Sequence, residues 1–133
     1  MREGELSLGV LVYLALGGLA GTLSRYFLQG WIQSRAGAGS FPVGTLAINI
    51  AGSLILGFVL RYGTGATVLS PQLRAGLSIG FCGAFTTMST FSYESMALLG
   101  DGEYWRAGLY MAATILGCLA AVMAGTWAAN RLL

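Results

Sequence analysis

Gly80-Phe81-Cys82-Gly83-Ala84-Phe85-Thr86-Thr87-Met88-Ser89-Thr90-Phe91-Ser92-Tyr93-Glu94 is the stretch whose reading decides the fold. Five of the seven residues from Thr86 to Ser92 carry a hydroxyl. Yet Ala75 to Tyr93 holds no charge over 19 residues, and a helix rising 1.5 Å per residue needs roughly that length to cross ~30 Å of hydrocarbon. The segment reads as a membrane span, but as a poor helix. Gly76, Gly80 and Gly83 lower helix propensity. Thr86, Thr87, Ser89 and Thr90 have side chains that compete for backbone hydrogen bonds. A break between Gly83 and Thr87 is expected. Backbone groups freed there cannot face lipid, because each unsatisfied one costs several kcal/mol, so the broken segment must be enclosed by protein or line a hydrated path.

The rest of the chain has the same character. Of 133 residues, 56% are hydrophobic and 9% charged, with a mean hydropathy of +0.73, whereas a soluble domain has about 25% charged residues. Four uncharged runs stand between the charges: Leu6 to Ser24, Ala36 to Leu60, Ala75 to Tyr93 and Ala107 to Asn130. They predict an all-α membrane protein, residues 1–133 forming one transmembrane domain of four helices at about 6–28, 42–62, 72–99 and 104–131, the third broken. The first run is too long for a signal-peptide core and follows Glu3 and Glu5, so it is expected to remain in the mature protein. Seven Arg against five acidic residues give a net charge of +2 with no Lys and no His. No basic tract suggests nucleic acid, and the absence of His removes the commonest acid–base catalyst near neutral pH, which argues against an enzyme. Cys82 and Cys118 lie in apolar runs, match no metal spacing and read as small buried hydrophobes.

Arg and Lys in short loops set membrane orientation. With four spans, Arg2, Arg61, Arg74 and Arg131 fall on one side and Arg25, Arg35 and Arg106 on the other. A split of four to three decides little, so two oppositely oriented copies can arise and pair antiparallel; a single strongly placed Arg that fixes one orientation is the plainer alternative. Gly17, Gly18 and Gly21 allow close helix approach in the first span, and Ala113, Gly117, Ala121 and Gly125 repeat at every fourth position in the last. Trp105 and Trp127 suit an interfacial aromatic belt.

Several polar residues sit within or beside these runs. Arg25 is either an interfacial anchor or a collector of anions. Thr45, Asn49 and Ser53 recur at i, i+4 and i+8 on one face; Asn49 either ties two helices together or presents N–H donors to an anion. Glu94 is a functional candidate by its depth, or a contact to headgroups or Arg106. Met88 and Phe91 share a face, an arrangement that serves packing more often than a site. Tyr110 and Thr114 either continue a polar track or satisfy backbone carbonyls.

These residues, in this order, resemble the fluoride channels called Fluc or CrcB. The matching motifs are Gly17-Gly18-x-x-Gly21-x-x-x-Arg25-Tyr26, Phe41-Pro42-x-Gly44-Thr45-Leu46-x-x-Asn49-x-x-Gly52-Ser53, Gly80-Phe81-Cys82-Gly83, and Thr86-Thr87-Met88-Ser89-Thr90-Phe91-Ser92-x-Glu94. The resemblance implies a multi-pass protein of the cell (inner) membrane. It would be a dual-topology antiparallel homodimer in lipid that passes fluoride passively outward and lowers cytoplasmic fluoride. It implies an ion pathway through Asn49, Met88, Phe91, Ser92, Glu94, Tyr110, Thr114 and Arg25, with Asn49 donating to the ion. It also implies a structural sodium ion at the dimer centre, held by backbone carbonyls of Gly83 and Thr86. The chain departs from the family's usual Thr-Phe-Ser-Thr-Phe by having Met88 at the first aromatic position.

Physical chemistry runs parallel to the resemblance. Fluoride is small and strongly hydrated, so a selective path must replace water by donors that still let the ion leave. Amide and hydroxyl groups and the positive edge of an aromatic ring suit that compromise. The rival reading, a small multidrug-type proton-coupled exporter, needs a carboxylate inside its first span, and Leu6 to Ser24 has none.

Overall fold

The computed structural model describes residues 8–37, 39, 41–65 and 69–133, and within them the chain is built from helices. Helix α1 runs Leu8–Ala36, α2 Val43–Gly65, and α3 Pro71–Ala75. A π-helical run, Gly76–Cys82, continues α3 without a turn into the single-turn α4, Gly83–Phe85. Then α5 runs Met88–Gly100 and α6 Tyr104–Asn130. Three of these, α1, α2 and α6, are long and apolar enough to cross a membrane.

The boundaries follow local chemistry. Pro42 lies directly before α2, and Pro71 opens α3 with Ser70 as its cap, the Ser70 hydroxyl accepting from the Leu73 N–H at 3.2 Å. At the end of α5 the chain turns through Gly102 at φ +76°, a left-handed conformation that glycine adopts without strain. The expected break lies at Thr86 and Thr87, both extended (φ −82°, ψ 160° and φ −150°, ψ 113°), whereas Gly83 keeps helical angles. Glycine therefore does not open the helix here. Gly76 and Gly80 lie instead in the π-helical run, where the wider turn tolerates them.

The first helix departs from its expected end at about residue 28 and continues to Ala36. An uncharged-run criterion stops at Arg25, but Gln29 and Gln33 lie beyond it and bond inward. Gln29 Nε2 donates to Thr45 Oγ1 at 2.9 Å, and Gln33 Nε2 to the Phe41 carbonyl at 3.3 Å while its Oε1 accepts from the Gly44 N–H at 3.0 Å. The expected start of that helix at residue 6 lies outside the described residues.

Two close approaches build the bundle. Along α1, Gly17 and Gly21 face the π-helical run so closely that a Cβ on either would run into the Gly76 or Phe81 carbonyl; Gly18, the third glycine of the motif, meets open space. On the other side α2 packs along α6, where a Cβ at Gly125 would strike the Leu54 carbonyl and one at Gly57 the Val122 carbonyl. Backbones this near gain dispersion contact in a solvent that supplies little hydrophobic drive between helices. The two tight seams leave α5 to face the α2–α6 pair, and the functional side chains gather there.

Gly17→Val and Gly18→Ala should separate close approach from helix propensity. Gly17→Val must push α1 off the π-helical run and is expected to lower the thermal midpoint in detergent by about 1–3 kcal/mol of overpacking strain, whereas Gly18→Ala should be neutral or stabilising by up to ~1 kcal/mol.

Candidate ion pathway

The interruption at Thr86 and Thr87 is bridged by one side chain. Asn49 Oδ1 accepts from the Thr87 N–H at 2.7 Å, and Asn49 Nδ2 donates to the Thr87 carbonyl at 3.1 Å. The carboxamide thus pairs with Thr87 as a neighbouring peptide group would. In an uninterrupted helix the Thr87 N–H would have gone to the Gly83 carbonyl; here it goes to Asn49. Thr87 then starts the next helix: its Oγ1 accepts from the Thr90 N–H at 3.2 Å, the N-cap bond of α5. Thr86 Oγ1 turns back to the Cys82 carbonyl at 2.9 Å and closes the end of α4.

Beside this clamp lies a cleft of about 280 Å³ lined by Asn49, Ser53, Thr87, Met88, Phe91, Thr114 and Cys118 among others. Asn49 and Phe91 are buried, while Met88 is 71% exposed. The Asn49 amide retains one N–H that the Thr87 clamp does not use. Thr114 is 6% exposed, and among the described residues its Oγ1 has no hydrogen-bond partner. Most buried polar groups are paired, so this hydroxyl on the cleft wall is an exception among the described residues.

One turn along α2 and α6 stands a second cluster. Tyr110 OH donates to Glu94 Oε2 at 2.7 Å, Thr45 Oγ1 donates to Glu94 Oε1 at 2.9 Å, and Thr45 in turn accepts from Gln29. A half-buried carboxylate thereby joins α1, α2, α5 and α6. Arg106 pairs with Glu103 at 3.5 Å; Glu94 is held by hydroxyls. The Tyr110 ring sits 5.3 Å from Phe91 and, edge-on, 5.5 Å from Phe41, which leads from this cluster to the cleft.

Not every sequence candidate converges. Asn49, Met88, Phe91 and Thr114 share the cleft, and Glu94 and Tyr110 share the carboxylate cluster. Ser92 is exposed, and its hydroxyl bonds back to the Met88 carbonyl at 2.9 Å. Arg25 does not line the cleft. Its Nη1 reaches the Thr86 carbonyl at 3.4 Å, and it lines a separate groove with Thr22, Gln29, Gln33 and Thr90. Gly83 is exposed. Cys82 is buried as expected, but Cys118 is half-buried on the cleft wall. Ser53 and Cys118 extend the rows Thr45–Asn49–Ser53 and Tyr110–Thr114–Cys118, a four-residue spacing present in the sequence. Gln29 is equally legible there, since it falls four residues after Arg25.

Comparison with known proteins places the chain among membrane proteins of one kind. The family model described as CrcB-like protein, Camphor Resistance (CrcB), matches residues 12–126. A Geobacter metallireducens protein named Fluoride-specific ion channel FluC is 43% identical over 122 residues, covering 92% of this chain and 98% of that one. Proteins of the same name from Geotalea daltonii (42% over 120 residues, covering 90% and 96%) and Sorangium cellulosum (45% over 122, covering 91% and 94%) are similar at the same level.

Asn49→Ala should undo the clamp. Two buried peptide groups of Thr87 lose their partners at about 1–3 kcal/mol each, so the unfolding midpoint should fall and the Thr87 amide should exchange with deuterium faster than in the parent protein. An unchanged Thr87 exchange rate would mean that the interruption holds itself without the amide.

Proposed function

The chain belongs to the CrcB-like family, and from that membership we propose that it is a fluoride-selective channel, passively exporting fluoride across the cell membrane it crosses several times and lowering the cytoplasmic concentration. The observation that carries this reading in the geometry is the cleft where the spare Asn49 N–H, the unpartnered Thr114 hydroxyl and the Phe91 ring meet. These are neutral donors, individually weak, and together they can replace part of a hydration shell without trapping the ion. The process is permeation, and no bond is made or broken, so the protein is not an enzyme.

In this reading the ion passes Asn49, Met88, Phe91 and Thr114, with Tyr110 and Glu94 one turn along and Arg25 attracting anions from its own groove. Ser92 belongs to the pathway only if a second copy covers its exposed face. Four spans are proposed, the third made of Pro71–Phe85 and α5 on either side of Thr86 and Thr87, and two antiparallel copies in lipid. Support comes from the face of α5 on which Met88, Ser92, Tyr93 and Met96 are exposed, and from the weak Arg asymmetry of four to three.

A sodium ion at the dimer centre, held by the Gly83 and Thr86 carbonyls and their symmetry mates, is part of the same proposal. Backbone carbonyls beside a helix interruption are the kind of oxygen a hard cation takes, and the Thr87 N–H that would serve the Gly83 carbonyl in a continuous helix goes to Asn49. The Thr86 carbonyl fits less freely, because Arg25 already approaches it at 3.4 Å.

Liposomes loaded with fluoride or chloride and read by selective electrodes test the function: fluoride should leave rapidly and chloride should not. Phe91→Ile should reduce fluoride efflux by about tenfold or more and Thr114→Val should reduce it, while Met88→Phe should preserve it. Efflux unchanged by Phe91→Ile but stopped by Met88→Phe would move the pathway off this face of α5.

Topology is tested by labelling a cysteine placed at the C-terminus. Label should reach it from both sides of the membrane in one population, and two added Arg in the turn between α2 and α3, which change the split from four to three into six to three, should drive it to one side. Single-sided labelling of the parent protein would rule out the antiparallel pair.

A further inference from the structure

Met88 opens α5 on the wall of the cleft, beside Asn49, Phe91 and Thr114; its exposed face is the one a second copy would cover, so an oxidant reaches its sulfur through the cleft. Met96 and Met123 are also exposed, but neither lines the cleft. Two side chains on this wall respond to a mild oxidant, the Met88 thioether and the half-buried Cys118 thiol, and of the two the thioether stands beside Phe91 at the start of α5. In the reduced state its methyl and methylene groups present weakly positive C–H edges, in keeping with a path of donors. After oxidation the same position carries a sulfoxide oxygen, an acceptor with a negative dipole. That oxygen can take the donors the cleft leaves free, the second Asn49 N–H and the Thr114 hydroxyl, and it repels an anion at the same point.

We propose that Met88 is a redox-sensitive modification site whose oxidation to the sulfoxide closes the anion path. This rests on the reading of the cleft as that path. The oxidant is a peroxide such as hydrogen peroxide. The sulfur lone pair attacks one peroxide oxygen and the O–O bond breaks. One oxygen stays on sulfur, which is oxidised by two electrons, and the other leaves as water. Methionine sulfoxide reductase reverses the change. A phenyl ring at this position has no equivalent chemistry.

The full chain in liposomes is treated with hydrogen peroxide, and each sample is compared with its own untreated rate while peptide mass locates added oxygen. Met88 should gain one oxygen and fluoride efflux should fall by about tenfold. Methionine sulfoxide reductase should restore it. Met88→Leu should lose this sensitivity, whereas Met96→Leu and Met123→Leu should keep it. Loss that survives in Met88→Leu, or that dithiothreitol alone reverses, would assign the effect to Cys118 and overturn the proposal. So would Met88 left unoxidised at peroxide levels that oxidise Met96 and Met123. If Met88 is oxidised and efflux is unchanged, the switch is wrong. The response of the same preparation to Phe91→Ile then decides whether the path is wrong as well: a strong reduction keeps the path, and none removes both.

Discussion

The paired hydrogen bonds between the Asn49 carboxamide and the Thr87 backbone are what the rest of the site depends on. A helix interrupted at membrane depth leaves peptide groups that neither water nor lipid can satisfy. A primary amide is the side chain that matches them, because it carries a donor and an acceptor spaced like those of a peptide. It takes the Thr87 N–H, and by fixing Thr87 in an extended conformation it lets the threonine hydroxyl cap α5. The same residue also keeps one N–H over for the cleft. The two roles that composition leaves open for Asn49 are therefore compatible, since an amide has enough valence for both.

The position of that amide is set from farther away. Gly57 and Gly125 bring α2 and α6 into backbone contact, which aligns Thr45, Asn49 and Ser53 with Tyr110, Thr114 and Cys118 as facing rows. On the opposite flank Gly17 and Gly21 admit the π-helical run, so α1 lies close enough for Arg25 to reach Thr86. A larger side chain at either seam would move a row of polar groups by the width of a methyl, and the spacing of the donors would change with it.

The class of fold is legible in the sequence because uncharged runs of this length suit a hydrocarbon layer and little else, and α2 and α6 begin and end within a few residues of the expected limits. The window Gly83 to Thr87 is legible too, and the two extended residues fall at its C-terminal end rather than at its glycine. Glycine content points to Gly83, whereas the extended residues are Thr86 and Thr87, for which the outside partner Asn49 supplies the bonds. Partnership across 38 residues of chain leaves no periodic signal. The end of α1 is hidden for a related reason: Gln29 and Gln33 look like loop residues until Thr45, Phe41 and Gly44 are seen to bond them. Cys118 resembles filler because a thiol in an apolar run usually is. What places it on the cleft wall is the register between α2 and α6.

The charges near one end of the bundle show how a path for anions can coexist with carboxylates. Glu94 and Asp101 line one groove together with Gln33, and Arg25 lines the neighbouring groove on the other side of the same glutamine. Grooves with low-dielectric walls focus the field of the charges that line them, so an anion approaching this end is repelled by the first and drawn into the second. Glu94 is moreover turned toward Tyr110 and Thr45, whose hydroxyls occupy one oxygen each. Its two oxygens engage these hydroxyls, while the Tyr110 ring packs beside Phe91. The unpaired donors lie deeper, at Asn49 and Thr114, where no carboxylate competes for them.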